Sequence, residues 1–155
     1  MKSLFVIIVM AFVFVNFTAI GSIAGVKNIR PDQLKIERTT YAFFQSAENV
    51  ASLGDFVYWT AVVKLPVGKR ITKLKYYHYG SGGPNTRVSI MRKKMGELPQ
   101  TVAERLCYDN TGSVISVEDT EIDYPVIKSG YTYYIRARSA NFDSKIHGIK
   151  IIYQD

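Results

Sequence analysis

The fold is decided by residues 56–79, which read FVYWTAVVKLPVGKRITKLKYYHY. Side chains alternate between two faces on both sides of a central break, and this two-residue period is that of a β-strand. The break is Pro66–Lys69, where Pro cannot donate to a sheet and Gly accepts a positive φ, so the chain is predicted to reverse in a tight basic turn. The predicted inward positions are Val57, Trp59, Ala61, Val63 and Leu65, followed by Thr72, Leu74, Tyr76 and His78. The predicted solvent face of the second strand carries Lys73, Lys75, Tyr77 and Tyr79.

Six further segments are rich in β-branched and aromatic residues: 34–44, 86–93, 101–108, 114–122, 131–139 and 145–154. Residues 101–108 would also suit a short helix, and residues 45–55 would suit a loop or one helical turn. In 131–139 the inward set is Tyr131, Tyr133, Ile135 and Ala137, and the outward set is Thr132, Tyr134, Arg136 and Arg138. About eight short strands, separated by turn residues and without a long amphipathic helix, predict an all-β fold. We expect a single antiparallel β-sandwich that is jelly-roll-like.

The N-terminus has the pattern of a signal peptide. A basic start is followed by an apolar run over residues 4–15 and by Ser22-Ile23-Ala24, which carries small residues where a signal peptidase cuts. We predict a signal peptide over residues 1–24, a flexible leader over 25–33 and the sandwich domain over 34–155. The alternative is an uncleaved membrane anchor, since residues 4–23 approach the roughly 20 residues that span a bilayer.

Charge and cysteine content narrow the class of protein. The formal net charge is +7, and removing Lys2 with the signal peptide leaves +6. A positive surplus favours polyanionic partners, although it serves solubility equally well. Cys107 is the only cysteine, so no disulfide can form within the chain. An exported domain without disulfides favours a bacterial origin.

Three patterns are spread along the mature chain: Leu65-Pro66-x-Gly68-x-x-Ile71-x-x-Leu74-x-Tyr76-Tyr77, Tyr131-x-Tyr133-Tyr134-Ile135, and Gly148-Ile149-x-Ile151-x-Tyr153. This arrangement resembles that of uncharacterised exported bacterial β-sandwich proteins. The matching positions belong to strands, turns and core, so the resemblance implies fold and export. It supplies no catalytic residues.

Residues that could carry chemistry are few. Cys107 is predicted to be a small buried residue, and His78 shares the apolar face of its strand, although a catalytic pair of Cys107 with a histidine stays open. The run Glu118–Asp123 holds four carboxylates that could bind Ca²⁺, but its spacing matches no EF-hand loop. A charged edge strand is the commoner explanation of such a run. We therefore predict no catalytic residues, no metal site and no cofactor.

The remaining candidate is a surface. The outward faces of two strands alternate basic and aromatic residues, with Lys73, Lys75, Tyr77 and Tyr79 on one and Tyr134, Arg136 and Arg138 on the other. If both strands lie in one sheet, these seven residues form a flat platform on which tyrosines stack against sugar rings and cations hold anionic groups. The alternative is two ordinary solvated strand faces.

Three functions follow from these patterns. The first is a secreted or periplasmic, non-catalytic protein that binds a polysaccharide or another envelope polyanion. The second is a structural subunit that self-associates through a sheet edge, with residues 25–33 as a linker or donated strand. The third, a small secreted enzyme, rests only on Cys107, the two histidines and the acidic run. No specific nucleic acid is expected, and a membrane only through an uncleaved signal segment.

Overall fold

The computed structural model describes residues 24–38, 43–46, 48–52, 57–80, 86–108, 110–140 and 143–155. Eleven strands and one short 3-10 helix, Pro31–Gln33, lie in these ranges. The strands are β1 Gly25–Ile29, β2 Lys35–Arg38, β3 Phe43–Gln45, β4 Val50–Ser52, β5 Val57–Val63, β6 Arg70–Gly80, β7 Thr86–Lys94, β8 Gln100–Cys107, β9 Val114–Asp119, β10 Tyr131–Ser139 and β11 Ser144–Gln154. Among these residues, no helix is long and apolar enough to cross a membrane.

The strands form two antiparallel sheets that pack face to face. The first sheet has the order β3-β4-β11-β6-β9, and β1 also pairs with β11. The second has the order β2-β5-β10-β7-β8. This architecture confirms the predicted antiparallel β-sandwich. The number of strands exceeds the predicted eight because β1 and β4 were not expected, and because segment 34–44 supplies two strands of different sheets, β2 and β3.

The turn at Pro66–Lys69 joins the two sheets and does not form a hairpin. β5 belongs to the second sheet and β6 to the first, so the prediction of a reversal is confirmed but the two strands are not neighbours. Gly68 has a φ of 88°, and its N–H donates to the Ile127 carbonyl at 2.8 Å. The crossover brings the apolar faces of β5 and β6 together across the core, where both can be buried.

The alternation in β5 and β6 is confirmed with one exception. Thr72 was predicted to point inward, but it is the extra residue of a β-bulge, since Lys73 pairs with Ile152 and Ile71 pairs with Tyr153. A bulge shifts the side-chain phase by one residue. Ile71 is therefore buried in place of Thr72, while Leu74, Tyr76 and His78 are fully buried as predicted.

The core lies between the sheets and draws on both of them. Its largest members include Trp59 of β5, Tyr76 of β6 and Ile135 of β10, each with no exposed surface. His78 Nδ1 and the Thr86 hydroxyl share a hydrogen bond of 2.9 Å, and the Tyr76 hydroxyl donates to the Thr86 carbonyl at 3.4 Å. These bonds satisfy polar groups inside an apolar core, where an unpaired group would be costly. Cys107 is buried, as predicted.

The segment 25–33, predicted to be a flexible leader, is instead ordered. β1 pairs antiparallel with β11, from Gly25 opposite Tyr153 to Ile29 opposite Ile149. Ile29 is buried in the core and provides the apolar contact that holds the strand. In this structure the strand that the assembly hypothesis would donate is paired within its own chain.

Some predictions fall outside the described residues. They are residues 1–23 of the predicted signal peptide and parts of the segments 34–44 and 45–55. The signal peptide and its cleavage after Ala24 remain predictions.

Candidate functional site

The seven residues predicted to form one platform lie on two different sheets. Lys73, Lys75, Tyr77 and Tyr79 belong to β6 in the first sheet, and Tyr134, Arg136 and Arg138 belong to β10 in the second. In each strand the alternate residues are buried in the shared core, so the two groups point away from each other. The prediction of a single platform is therefore wrong, because it required both strands to lie in the same sheet. Two separate faces take its place.

The first face, which we call the lysine–tyrosine face, combines β6 with the neighbouring strand β11. Its residues are Lys73, Lys75, Tyr77 and Tyr79 of β6 and Lys145, His147 and Lys150 of β11. The ammonium groups of Lys75 and Lys150 lie 5.6 and 5.4 Å from the centre of the Tyr77 ring, and that of Lys145 lies 5.3 Å from the Tyr79 ring. These distances fit cation–π contacts, so cations and aromatic rings are interleaved as predicted for β6.

The β11 residues of this face were not predicted, because a β-bulge interrupts the two-residue alternation of side chains in this strand. Ile146 pairs with His78 and Gly148 with Tyr77, which leaves His147 as the extra residue. The His147 ring packs edge-on against Tyr79, with ring centres 6.5 Å apart. The sequence signal was the glycine inside an otherwise regular strand, which is typical of a bulge or a close approach.

A depression opens beside Tyr77 on the lysine–tyrosine face. Its volume is about 230 Å³, and its walls are Tyr77, His147, Gly148, Lys150 and the segment 28–31. A Cβ atom on residue 148 would lie 4.0 Å from Cδ2 of Tyr77, so the missing side chain of Gly148 keeps the space beside the ring open. The depression thus combines one aromatic wall with cationic and amide groups, which is the composition of a site for a polar ring.

A carboxylate compensates part of the positive charge of the lysine–tyrosine face. Glu118 of β9 accepts a hydrogen bond from Lys73 Nζ at 2.7 Å, and its other carboxylate oxygen lies 2.9 Å from Lys75 Nζ. These two lysines lower the pKa of Glu118 to about 2, and the bond to Glu118 raises the pKa of Lys75. Burial and the charge of Lys145 lower the pKa of His147. Part of the positive charge near β9 is therefore already compensated.

The second face, which we call the arginine face, is the outer surface of the second sheet around β10. Arg136 Nε donates to Glu37 at 2.9 Å, and the Arg136 guanidinium lies 4.6 Å from the centre of the Tyr58 ring. Tyr134 is half-buried between Val62 and Met91, and burial together with the nearby Glu37 raises its pKa. Tyr134 and Tyr77 are thus both half-buried.

The acidic run has a structural role at a sheet edge. β9 is the edge strand of the first sheet, which confirms the edge-strand interpretation for Glu118 and Asp119. Asp119 is buried, and its carboxylate accepts hydrogen bonds from the N–H groups of Glu104 at 3.0 Å and Glu121 at 3.1 Å. Within the described ranges, no group of three or more His, Cys, Asp or Glu side chains could hold a metal ion.

Comparison with known proteins adds information about the fold. No protein-family model matches this sequence, and no curated protein sequence matches it. Among solved structures, the C-terminal CBM6 of LamC, a marine laminarinase from Zobellia galactanivorans, matches with a TM-score of 0.52 and 14% identity over 82% of this chain and 98% of that one. The fold of this chain is similar to that of carbohydrate-binding modules.

Two further structures support the same conclusion. The CBM36-1 domain of a multidomain xylanase from the hindgut metagenome of Trinervitermes trinervoides has a TM-score of 0.51 at 12% identity, over 82% of this chain and 96% of that one. The CBM22-2 xylan-binding domain of Paenibacillus barcinonensis Xyn10C has a TM-score of 0.50 at 12% identity, over 83% and 95%. At such identities the similarity concerns the fold, and the chemistry of each face has to be argued from its own residues.

Proposed function

We propose that this protein is an exported, non-catalytic module that binds a polysaccharide of the cell envelope or extracellular space through its lysine–tyrosine face. The observation that carries the proposal is the depression beside Tyr77, where the absent side chain of Gly148 exposes the ring edge to a space of about 230 Å³. Export is inferred from the signal-peptide pattern of residues 1–24. The similarity in fold to carbohydrate-binding modules supports the proposal.

The chemistry of the depression suits a sugar. An aromatic ring offers an apolar surface to the C–H groups of a pyranose, while Lys150, His147 and Asn28 offer polar groups to its hydroxyls. The lysines beside Tyr77 are flexible and can swing away from the ring or bond a sugar oxygen. A shallow site of this kind gives modest affinity for one sugar, and a repeating polymer compensates through several contacts.

A pair of tyrosine variants tests the proposal. We expect Tyr77→Ala to weaken binding to the recognised glycan about tenfold, because the ring supplies the apolar wall of the depression. Tyr108→Ala is the matched control, since Tyr108 is 64% exposed and lies at the end of β8, outside the lysine–tyrosine face. Binding of residues 25–155 is measured by affinity electrophoresis and calorimetry with xylan, laminarin and soluble peptidoglycan fragments.

The result distinguishes two failures. If the wild-type chain binds none of these glycans, the polysaccharide function is overturned for this panel. If it binds one of them and Tyr77→Ala binds equally well, the function stands and the lysine–tyrosine face is the wrong site.

A further inference from the structure

Three connections between strands meet at one end of the sandwich. Tyr131, the first residue of β10, pairs with Lys94, the last residue of β7. The N–H of Gly68 in the turn after β5 donates to the Ile127 carbonyl in the loop before β10, at 2.8 Å. We call this end the loop end, and it consists of residues 64–69, 95–99 and 120–130.

Large apolar side chains of the loop end protrude into solvent. Met95 is 98% exposed and Leu98 is 86% exposed, and both belong to the turn between β7 and β8. Val67, Tyr124 and Val126 are also exposed, on the other two connections. Turns usually carry Gly, Pro, Asn, Asp or Ser. Exposed apolar surface that is concentrated in one place is typical of a site that meets a protein or a membrane.

The loops that carry these side chains are held in place by their own contacts. In the turn between β7 and β8, the N–H of Glu97 donates to the Lys94 carbonyl at 3.1 Å, and the two side chains form an ion pair at 3.3 Å. The ring centre of Tyr124 lies 3.7 Å from the guanidinium of the buried Arg92. Because these loops are already ordered, docking them on a partner costs less conformational entropy.

Cations outnumber carboxylates in and beside the loop end. The segments 64–70, 93–99 and 121–130 together contain six Lys or Arg residues and three Asp or Glu residues. Lys64, Lys93 and Lys128 are exposed. The loop end therefore combines protruding apolar side chains with a moderate positive charge. This combination fits the surface of an anionic bilayer, which offers apolar chains beneath negatively charged headgroups.

The N-terminal segment joins the fold at the same end. Gly25, the first residue of β1, pairs with Tyr153, and Tyr153 pairs with Ile71 next to the turn after β5. The apolar run of residues 4–15 precedes Gly25 in the sequence. Insertion of that run in a membrane, as a signal peptide during export or as an uncleaved anchor, would bring the loop end close to the bilayer.

We propose that the loop end docks on an anionic phospholipid surface. Met95 and Leu98 insert between the headgroups, and the exposed lysines lie near the phosphates. Tyr124 suits the same boundary, because its ring is apolar and its hydroxyl is polar. Docking through this end leaves the outer faces of both sheets uncovered, so the proposal does not depend on the lysine–tyrosine face.

The test is co-sedimentation of residues 25–155 with lipid vesicles. This chain contains every strand that the structure describes and lacks the apolar run. One set of vesicles holds phosphatidylglycerol and phosphatidylcholine in equal parts, and the other holds phosphatidylcholine alone. At about 0.1 M salt, where the Debye length is about 10 Å, we expect binding to the anionic vesicles and at least tenfold weaker binding to the neutral ones.

Three double variants assign the contact to the loop end. Met95→Ser with Leu98→Ser should weaken binding to the anionic vesicles at least tenfold, because the inserted apolar surface is lost. The matched control is Tyr108→Ser with Val114→Ser, which removes two exposed apolar side chains at the opposite end of the sandwich and should change the affinity less than twofold. Lys93→Gln with Lys128→Gln should weaken binding and reduce its dependence on salt. Melting temperatures check that each variant is folded.

The outcomes decide the proposal. It is overturned if the wild-type chain does not bind the anionic vesicles, if it binds neutral vesicles equally well, or if the first two double variants lose affinity to the same extent. Sedimentation velocity without vesicles tests a second copy of the chain as the occupant. A dimer that Met95→Ser with Leu98→Ser dissociates would replace the membrane by self-association. Tyr77→Ala should bind vesicles as the wild type does, so failure of the glycan site is distinguishable from failure of this one.

Discussion

Glu118 is the residue that sets the charge of the lysine–tyrosine face. It bridges Lys73 and Lys75, two residues that alternate on the same side of β6 and would otherwise repel each other. Because the side chains are partly exposed, the interaction is screened by solvent and salt. The bridge therefore holds the two lysine side chains in place and contributes little to the free energy of unfolding. On β11, the ammonium groups of Lys150 and Lys145 lie over the rings of Tyr77 and Tyr79.

The pH dependence of stability tests the Glu118 bridge. The pKa of Glu118 is lowered to about 2 from an ordinary value of 4.5, so the folded state holds the proton less tightly than the unfolded state. The bridge is therefore stabilising above pH 4.5, and its contribution is lost as the pH falls towards 2. We expect Glu118→Gln to have a slightly lower melting temperature than the wild type at pH 7, and the two curves to converge near pH 2.

High salt provides the control for this prediction. At about 1 M salt the difference at pH 7 should shrink, because the Debye length falls to about 3 Å. A difference that persists unchanged at pH 2 would contradict the assignment, since most of the contribution of the bridge is lost once the pH has fallen to the folded-state pKa of Glu118.

At the scale of the element, β1 shows how a short polar segment becomes part of a sheet. Its sequence, GVKNI, has one strongly apolar residue at the end, and three of its five residues are polar or glycine. β4 pairs with β11 only near Ile146, which leaves the rest of this edge of β11 open. β1 pairs with that remaining edge through five residue pairs. Local composition indicated a loop, whereas pairing to an available edge stabilises a strand.

Two variants of β1 measure how firmly it is docked. Ile29→Ala removes a core side chain, and we expect it to lower the free energy of unfolding by roughly 2–5 kcal/mol. Val26→Ala, in the same strand but 49% exposed, should change it by less than about 0.5 kcal/mol. Both values come from urea denaturation of residues 25–155. Equal, small effects of the two variants would mean that β1 adds nothing to the fold.

For the whole molecule, the core of the sandwich separates the lysine–tyrosine face from the arginine face. The inner faces of both sheets pack against each other in one continuous apolar cluster. The lysine–tyrosine face and the arginine face point in opposite directions. One polymer chain that lies flat on the surface can contact only one of these faces.

The single tryptophan reports on this shared core. Trp59 is the only tryptophan of the chain and is completely buried between the sheets. We expect blue-shifted emission in the folded protein and one urea transition, with fluorescence and far-UV circular dichroism changing together. Saturating a ligand on either outer face should leave the emission wavelength unchanged. Two separate transitions would contradict a core common to both sheets.

Much of the fold follows from local patterns. The alternation in β5 and β10 predicts which side chains are buried, because the two faces of a strand meet different surroundings. Gly68 marks the turn between β5 and β6 through its positive φ. The alternation also identifies the cation and aromatic content of the outward faces of β6 and β10. These features depend on neighbours in the sequence and on burial alone.

What the sequence determined by itself is therefore the fold class, the positions of the main strands and the composition of their outward faces. Only the tertiary structure decided which strands share a sheet. Backbone hydrogen bonds are the same for every pair of antiparallel strands and therefore do not specify which strands pair. The pairing of strands placed Tyr77 beside Gly148, and it separated the predicted platform into two faces. The bulges at Thr72 and His147 were also decided by the tertiary structure, because a residue is extra only in relation to the strand with which its own strand pairs.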